Sequence, residues 1–245
     1  MYTELRMELD TNEITYQQSS NMQGVLMEQI DTGYAEQLHQ NHLNPYSQHL
    51  VKENGKMVWY IKTVTDEAYE NIIIPLSKME QIKLKKKNIT VIPTQKEIRK
   101  IETKELLEEF YETKAVGYHE ISFLTPTAFK RDGRYVFYPD LRLVYGSLMR
   151  KYSEASLDFD MTDEEALEEL CEKSEIINYR LQTLPFSLEK TRITGFTGTI
   201  TIKIKGTETL SRYARLLFRF GEFSGIGIKT SMGMGAVKYG RRKNG

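Results

Sequence analysis

The sequence of 245 residues predicts an α+β protein made of two tandem ferredoxin-like domains, which we place at residues 1–115 and 116–245. The first half contains patterns in the order strand, helix, strand, strand, helix, strand, and the second half repeats this order. Each half also contains a two-residue hairpin signal, Asn54-Gly55 and Asp132-Gly133. A hydrophobic content of 40% and an aromatic content of 11% suffice for a packed core.

The elements of the first half follow from its apolar periodicity. Apolar and polar residues alternate over 4–10, as on a half-buried strand. Asn54-Gly55 predicts a tight hairpin because both residues tolerate the positive φ angles of a type I′ turn. The other predicted elements are a helix at 18–30, a short helix at 33–40 capped by Asp31 or Thr32, strands at 47–53 and 56–64, a helix at about 66–79 and a strand at 88–100.

The second half is assigned in the same way. Ile200, Ile202 and Ile204 share one face of a predicted strand at 195–206. A helix at 208–220 carries an apolar stripe and ends just before a glycine-rich segment. The other predicted elements are a strand at 118–126, a hairpin at Asp132-Gly133, helices at about 140–153 and 162–178, and a final strand at 235–240.

The charge distribution indicates a polyanionic partner although the formal net charge is zero. Residues 176–245 contain 13 basic and 3 acidic side chains, whereas residues 151–175 contain 2 basic and 10 acidic ones. A second basic cluster indicates either another contact or an edge strand protected by lysines, and consists of Lys83, Lys85, Lys86 and Lys87. The single cysteine, Cys171, favours a reducing cytoplasm, and no apolar run is long enough to predict a membrane span.

The segment GIGIKTSMGMG at 225–235 is the strongest binding signal. We expect its glycines to let the backbone approach a phosphate closely, while a lysine and two hydroxyls add donors. It fits neither a Walker A loop nor a dinucleotide fingerprint, so a phosphate backbone is favoured over a mononucleotide; a flexible turn is the alternative. The predicted RNA-binding residues of this segment are Gly225, Gly227, Lys229, Thr230, Ser231, Gly233 and Gly235.

An arginine row precedes this segment. Arg212, Arg215 and Arg219 recur at i, i+3 and i+7 of the helix at 208–220 and therefore share one face. Two interpretations remain open: a row of contacts to a nucleic-acid backbone, or a solvated helix face. The position of the row beside the glycine-rich segment favours the backbone contact.

Three ordered stretches of the chain resemble one known family. They are QLHQ followed by NPYSQHL, FLTPTAFK followed by YVFYPDLRLVYGSLMRKY, and GEFSGIGIKTSMGMG. With them the chain resembles the CRISPR-associated endoribonucleases that cut precursor CRISPR RNA within its repeats, in the compact form that accompanies type III-A systems. The resemblance implies two ferredoxin-like domains, precursor CRISPR RNA as the partner, and cleavage without metal or cofactor that leaves a 5′-hydroxyl and a 2′,3′-cyclic phosphate. It leaves open homodimerisation and transfer of the product to a type III effector complex.

The resemblance places the family's catalytic histidine on His39. An imidazole exchanges a proton near neutral pH, which suits transfer to and from the hydroxyls of RNA. Some members use a tyrosine and a lysine nearby, but Gly24 and Pro45 occupy those spacings here. The nearest substitutes are Tyr34, for which packing is the alternative role, and Lys52, whereas His42 is a candidate to assist or replace His39. No cysteine or carboxylate spacing supports a metal site at these histidines.

Two other functions compete with the nuclease. The first is a non-catalytic RNA-binding subunit of a CRISPR effector complex, which would share the ferredoxin-like domains and the glycine-rich segment. The second is a general binder of single-stranded RNA that stacks bases on aromatic side chains. The second is disfavoured because the RNP1 pattern of an RNA-recognition motif is absent.

Overall fold

The computed structural model describes residues 1–40, 43–85, 88–156, 162–188 and 191–240. His42, Lys86 and Lys87 lie outside these residues. The described chain forms two four-stranded antiparallel sheets, each with its own helices, and two short ribbons. Within the described ranges, no helix is both long and apolar enough to cross a membrane.

The N-terminal domain has the strand order β2-β3-β1-β6. Its strands are β1 (Tyr2–Leu9), β2 (Tyr46–Glu53), β3 (Lys56–Thr63) and β6 (Pro93–Ile101). Its helices are α1 (Ser19–Gln29), α2 (Thr32–Gln40), a stretch made of α3 (Asp66–Ala68), a π turn (Tyr69–Ile73) and α4 (Ile74–Ser77), and α5 (Thr103–Glu112). A ribbon of β4 (Ile82–Leu84) and β5 (Ile89–Val91) precedes β6. The central position of β1 and β3 is the ferredoxin-like arrangement.

Local sequence explains these elements. The predicted alternation in β1 is confirmed, because Leu5 and Met7 are fully buried. The Asn54-Gly55 hairpin is also confirmed, with φ angles of 49° and 85° at its two central residues. Lys83 and Lys85 point outward from the β4–β5 ribbon, and Lys85 pairs with Glu28 on α1 at 2.9 Å.

The C-terminal domain has the equivalent order β10-β11-β7-β12. Its strands are β7 (Tyr118–Thr127), β10 (Ser174–Ser187), β11 (Arg192–Ile204) and β12 (Val237–Gly240). Its helices are α6 (Leu141–Ala155), α7 (Glu164–Lys173) and α8 (Glu208–Ser224). A ribbon of β8 (Phe129–Arg131) and β9 (Arg134–Val136) is inserted between β7 and α6. The prediction of two tandem ferredoxin-like domains is therefore confirmed.

One assignment within this domain is wrong. The helix predicted at 162–178 ends at Lys173, and the following 14 residues form β10, which the sequence pattern did not predict. β10 is an edge strand, exposed along most of its length, so it lacks the alternation of a half-buried strand. The predicted hairpin at Asp132-Gly133 exists, but it forms the separate β8–β9 ribbon.

Helix α8 connects the two domains. One side of it packs in the C-terminal core, whereas its last turn meets the N-terminal sheet. Ser47 Oγ donates to the carbonyl of Phe223, and Lys62 Nζ donates to the carbonyl of Glu222 at 2.8 Å. The ring of Tyr2 lies 5.6 Å from that of Phe223. These contacts fix the N-terminal sheet against the end of α8, where the glycine-rich segment begins.

Candidate functional site

A cleft of about 580 Å³ lies where the two domains meet. Its N-terminal wall is α1, the end of α2 and the connection to β2, and its C-terminal wall is β8, α6 and the glycine-rich segment. The charged or titratable side chains that line it are His39, Lys130, Arg150, Lys151 and Lys229. The structure thus brings the predicted histidine and the predicted lysine of the glycine-rich segment into one cleft.

His39 occupies the last turn of α2 and is exposed. The helix begins where the Asp31 carboxylate, one of the two predicted caps, accepts from the backbone N–H of Tyr34 at 3.1 Å. Leu38 is buried in the N-terminal core at the edge of the cleft, and His39 follows about 100° further around the helix, where its side chain is exposed in the cleft. The imidazole is accessible to a substrate.

Of the residues proposed to assist His39, Tyr34 and Lys52 do not line the cleft. The Tyr34 ring is 6% exposed and packs in the N-terminal core; its buried hydroxyl has no hydrogen-bond partner among the described residues. Burial raises its pKa far above the ordinary value. Tyr34 therefore packs in the core and does not reach the cleft, which agrees with the alternative role that the sequence left open. Lys52 lies on β2 beside the hairpin and away from the cleft walls, and His42 lies outside the described residues.

The glycines of the 225–235 segment allow the backbone conformation and the close packing of the segment itself. All four have positive φ, and Gly225, Gly233 and Gly235 are buried. A Cβ on Gly235 would lie 2.0 Å from the carbonyl oxygen of Ile226, and one on Gly227 would lie 2.4 Å from that of Ala128. The expected close approach is thus made by the protein's own backbone at these two glycines, and contact of the segment with a phosphate stays a prediction.

Lys229, Thr230 and Ser231 have different surroundings. Thr230 and Ser231 are buried: Thr230 Oγ1 accepts from Lys151 at 3.2 Å, and Ser231 Oγ accepts from Asn44 Nδ2 at 3.3 Å. Both hydroxyls hold the segment in place through these hydrogen bonds. Lys229 is exposed at the apex with a left-handed φ of 56°, and among the described residues its ammonium has neither hydrogen bond nor ion pair. All three residues line the cleft, and of the three only Lys229 has an exposed side chain.

Sequence reasoning missed Lys151, which lies on α6 at the floor of the cleft. Its side chain is buried, and its ammonium donates to the carbonyls of Ser224 and Gly225 at 3.2 and 3.0 Å. Burial, with a smaller contribution from Arg150, lowers the pKa of Lys151 to about 7. A signal existed in the sequence, because Lys151 continues the i, i+4, i+7 stripe of Val144 and Leu148.

The arginine row does not face the cleft. Arg215 is 2% exposed and donates to the carbonyls of Glu109, Thr113 and Lys114 at the end of α5. A buried guanidinium cannot reach an RNA phosphate, so the RNA-binding assignment of Arg215 is wrong.

Arg212 and Arg219, the other two members of the arginine row, also contact α5. Arg212 donates to the carbonyl of Tyr111 at 3.2 Å, and Arg219 pairs with Glu109 and Glu222. Neither arginine lines the cleft, and both are corrected to α5 contacts. The physical reason is that the last carbonyls of a helix need partners, which Arg212 and Arg215 supply to α5, whereas Arg219 pairs with the carboxylate of Glu109 on the same helix.

Two further histidines are structural. His119 is fully buried between Tyr239 and Ser211, at 2.9 and 3.1 Å, and burial lowers its pKa to about 4. His49 is 2% exposed, stacks on Tyr60, and has its pKa lowered by burial. Both rings are buried and inaccessible to a substrate.

Known proteins agree with this architecture. The sequence profile of the family described as CRISPR-associated endoribonuclease Cas6 matches residues 121–237. A protein of that name from Streptococcus thermophilus is 37% identical over 222 residues, which cover 90% of this chain and 90% of the relative. A solved Cas6 product complex has a TM-score of 0.80 at 21% identity, covering 98% of this chain and 100% of that chain. A Cas6 substrate mimic complex has a TM-score of 0.76 at 20% identity, covering 98% and 99%.

Proposed function

This chain belongs to the Cas6 family of CRISPR-associated endoribonucleases, and from that premise we propose that it cuts the repeats of precursor CRISPR RNA in the cleft that contains His39. The observation that carries the proposal is the placement of one exposed histidine and several basic side chains in a single interdomain cleft. The name of the Streptococcus thermophilus relative supports RNA as the substrate, and the basic walls favour a polyanion.

The proposed chemistry is an internal attack within the RNA. The 2′-hydroxyl loses its proton, its oxygen forms a bond to the adjacent phosphorus, and the bond from that phosphorus to the 5′-oxygen breaks. The leaving 5′-oxygen takes up a proton. The products are a 2′,3′-cyclic phosphate and a 5′-hydroxyl. His39 is the proposed proton-transfer group, because imidazole accepts and donates protons near neutral pH.

Negative charge develops on the phosphate oxygens during this attack. Lys130, Arg150 and Lys229 line the same cleft, and within the described part of the chain none of the three forms an ion pair. Cations placed where charge develops stabilise the transition state. We therefore propose that cleavage proceeds without a divalent metal ion, with these side chains supplying the positive charge. After cleavage, transfer of the product to a type III effector complex and homodimer formation remain compatible with this proposal.

The test is cleavage of end-labelled repeat RNA in EDTA at matched ionic strength. Wild-type protein is expected to cut, and His39→Ala to lower the rate by about 10²–10⁴-fold while RNA affinity is retained. Tyr34→Phe is the matched control, because it removes only a buried hydroxyl and should cut at the wild-type rate. His42→Ala tests whether the second histidine contributes.

Each failure has a distinct meaning. Full activity of His39→Ala would refute the assignment of that residue, and loss confined to His42→Ala would move the role to His42. A strict requirement for a divalent ion would refute the metal-free mechanism. RNA binding without cleavage by the wild-type protein would favour a non-catalytic RNA-binding subunit.

A further inference from the structure

The β8–β9 ribbon carries a cluster of exposed aromatic side chains. We define the β8–β9 arm as residues 129–138, which include the ribbon and the two residues after it. Tyr135, Phe137 and Tyr138 are 46%, 46% and 53% exposed. Single apolar residues on a surface are common, but three aromatic rings within four residues form a patch. Neither the fold nor the proposed cleavage step accounts for it.

The arm is anchored beside the cleft. Phe129 and Val136 are buried in register with each other and attach the ribbon to the C-terminal core. The N–H of Ile228 in the glycine-rich segment donates to the carbonyl of Ala128 at the base of the arm, at 3.0 Å. The turn, Asp132-Gly133, has φ angles of 50° and 77°, as in a tight type I′ turn. The arm therefore projects from the cleft wall as a fixed element.

The register connects the aromatic rings to the cleft. Lys130 and Tyr135 are directly opposed across the ribbon, so their side chains project from the same face. Lys130 lines the cleft together with His39. Tyr135 consequently stands next to the cleft wall, where a strand that leaves the cleft would pass.

The β8–β9 arm is basic, which favours a negatively charged partner. Lys130, Arg131 and Arg134 outnumber the single acid, Asp132. Arg131 donates to the Asp140 carboxylate at 2.9 Å and reaches the Tyr138 hydroxyl at 3.5 Å, which holds the Tyr138 ring at the surface. Exposed aromatic rings among basic side chains are the combination that binds single-stranded nucleic acid, by stacking bases and contacting phosphates.

We propose that the β8–β9 arm stacks unpaired nucleotides that flank the cleaved phosphate of the RNA. This inference rests on the proposed function, because it assumes that RNA occupies the cleft. Every base has a π face, so the arm would bind the flank with little preference for base identity. It would thereby hold the strand on one side of the cleft while His39 acts on the phosphate within it.

The test uses a repeat RNA with 2-aminopurine in the unpaired flank, and the same RNA with that flank removed. All proteins carry His39→Ala to prevent cleavage, and binding is followed by anisotropy and 2-aminopurine quenching. Tyr135→Ala and Phe137→Ala are each expected to weaken binding of the flanked RNA by about 5- to 150-fold, the range typical of one base–aromatic stack, and to relieve quenching. Binding of the trimmed RNA should not change.

Two sets of variants separate stacking from general effects. Tyr135→Phe and Phe137→Tyr keep the π face and should restore affinity and quenching. Tyr111→Ala removes an aromatic ring that is 69% exposed on α5, away from the cleft, and should bind like its parent. Thermal melts of all variants check that the fold is retained.

The outcomes distinguish this inference from the proposed function. Wild-type cleavage with unchanged binding and quenching in the arm variants would overturn the role of the arm alone. Absence of both RNA binding and cleavage in the wild-type protein would overturn both proposals. If the arm variants instead convert a dimer to a monomer in light scattering, with RNA affinity unchanged, the arm is a self-association surface and the RNA role is wrong.

Discussion

Gly235→Ala should destabilise the protein more than it affects any direct RNA contact. The added Cβ would lie 2.0 Å from the carbonyl oxygen of Ile226 and 3.0 Å from Thr230 Cγ2. Carbon–oxygen contacts rarely fall below about 3.3 Å, so the two backbone segments must separate by more than about 1 Å. Since the obstacle is a backbone carbonyl and not the end of a flexible side chain, no rotamer change relieves the clash.

The expected loss in the free energy of unfolding is the sum of three local contributions. Alanine at the φ of 68° found at Gly235 costs about 1–2 kcal/mol relative to glycine. Separation of the segments breaks the hydrogen bond from Ile226 N–H to the Gly235 carbonyl, at 2.8 Å, and weakens the one from Gly235 N–H to the Pro126 carbonyl, at 3.1 Å. At about 1 kcal/mol each, the total loss in the free energy of unfolding is about 3–4 kcal/mol. For a chain of this size the melting temperature should fall by about 6–16 °C.

Thermal melts followed by circular dichroism would measure this effect. Gly24→Ala is the matched control, because Gly24 lies in α1 and a Cβ added to it would meet no other atom within 4 Å. The same substitution at that position should raise stability by about 0.5–1 kcal/mol. A Gly235→Ala variant that melts within about 2 °C of wild type would refute the packing role. If that variant also lost RNA affinity, the glycine would serve the ligand, as the sequence pattern alone suggested.

Three further predictions concern charged side chains. Lys229→Ala should weaken RNA binding and reduce the salt slope of log affinity by about 0.7, measured by titration at several salt concentrations. Burial lowers the pKa of Lys151 to about 7 in the folded state, so above pH 7 the unfolded chain binds more protons, and the free energy of unfolding rises with pH from about 7 towards 10. Urea melts of Lys151→Met across that range should lack this rise. Arg215→Met leaves the last carbonyls of α5 without a donor and should lower stability by about 2–4 kcal/mol in urea melts, with cleavage retained where the variant is folded.

The sequence predicted the elements whose signals are local. The alternation in β1 and the Asn54-Gly55 turn depend on residues that are adjacent in the chain, and both match the structure. β10 was missed because its signal depends on being an edge strand, which is a property of the whole sheet. The position of His39 at the end of α2 was likewise predictable, whereas the identity of the groups opposite it was not.

Side-chain roles were harder to predict because the same pattern serves different neighbours. A spacing of i, i+3 and i+7 correctly placed three arginines on one helix face, but it carries no information about what packs there; that face meets the carbonyls of α5. Glycine spacing correctly indicated positive φ and close approach in the 225–235 segment, yet the approaching atoms belong to Ile226 and Ala128. A residue pattern therefore predicts geometry more reliably than it predicts partners.

The cleft exists only because the two domains are docked, so its geometry depends on buried polar contacts at their boundary. Gln48, 1% exposed on β2, donates to the carbonyls of Ser19 and Ser231 at 2.8 and 3.1 Å and accepts from Trp59 Nε1 at 2.8 Å. The bond to Ser231 ties the N-terminal sheet to the turn that follows Lys229, and the other two fix the Gln48 amide within the N-terminal domain. Because buried amides lose most of their stabilising effect when one partner moves, a small displacement between the domains costs several hydrogen bonds at once. The same contacts that stabilise the boundary therefore set the separation between the α2 end, which carries His39, and the loop that carries Lys229.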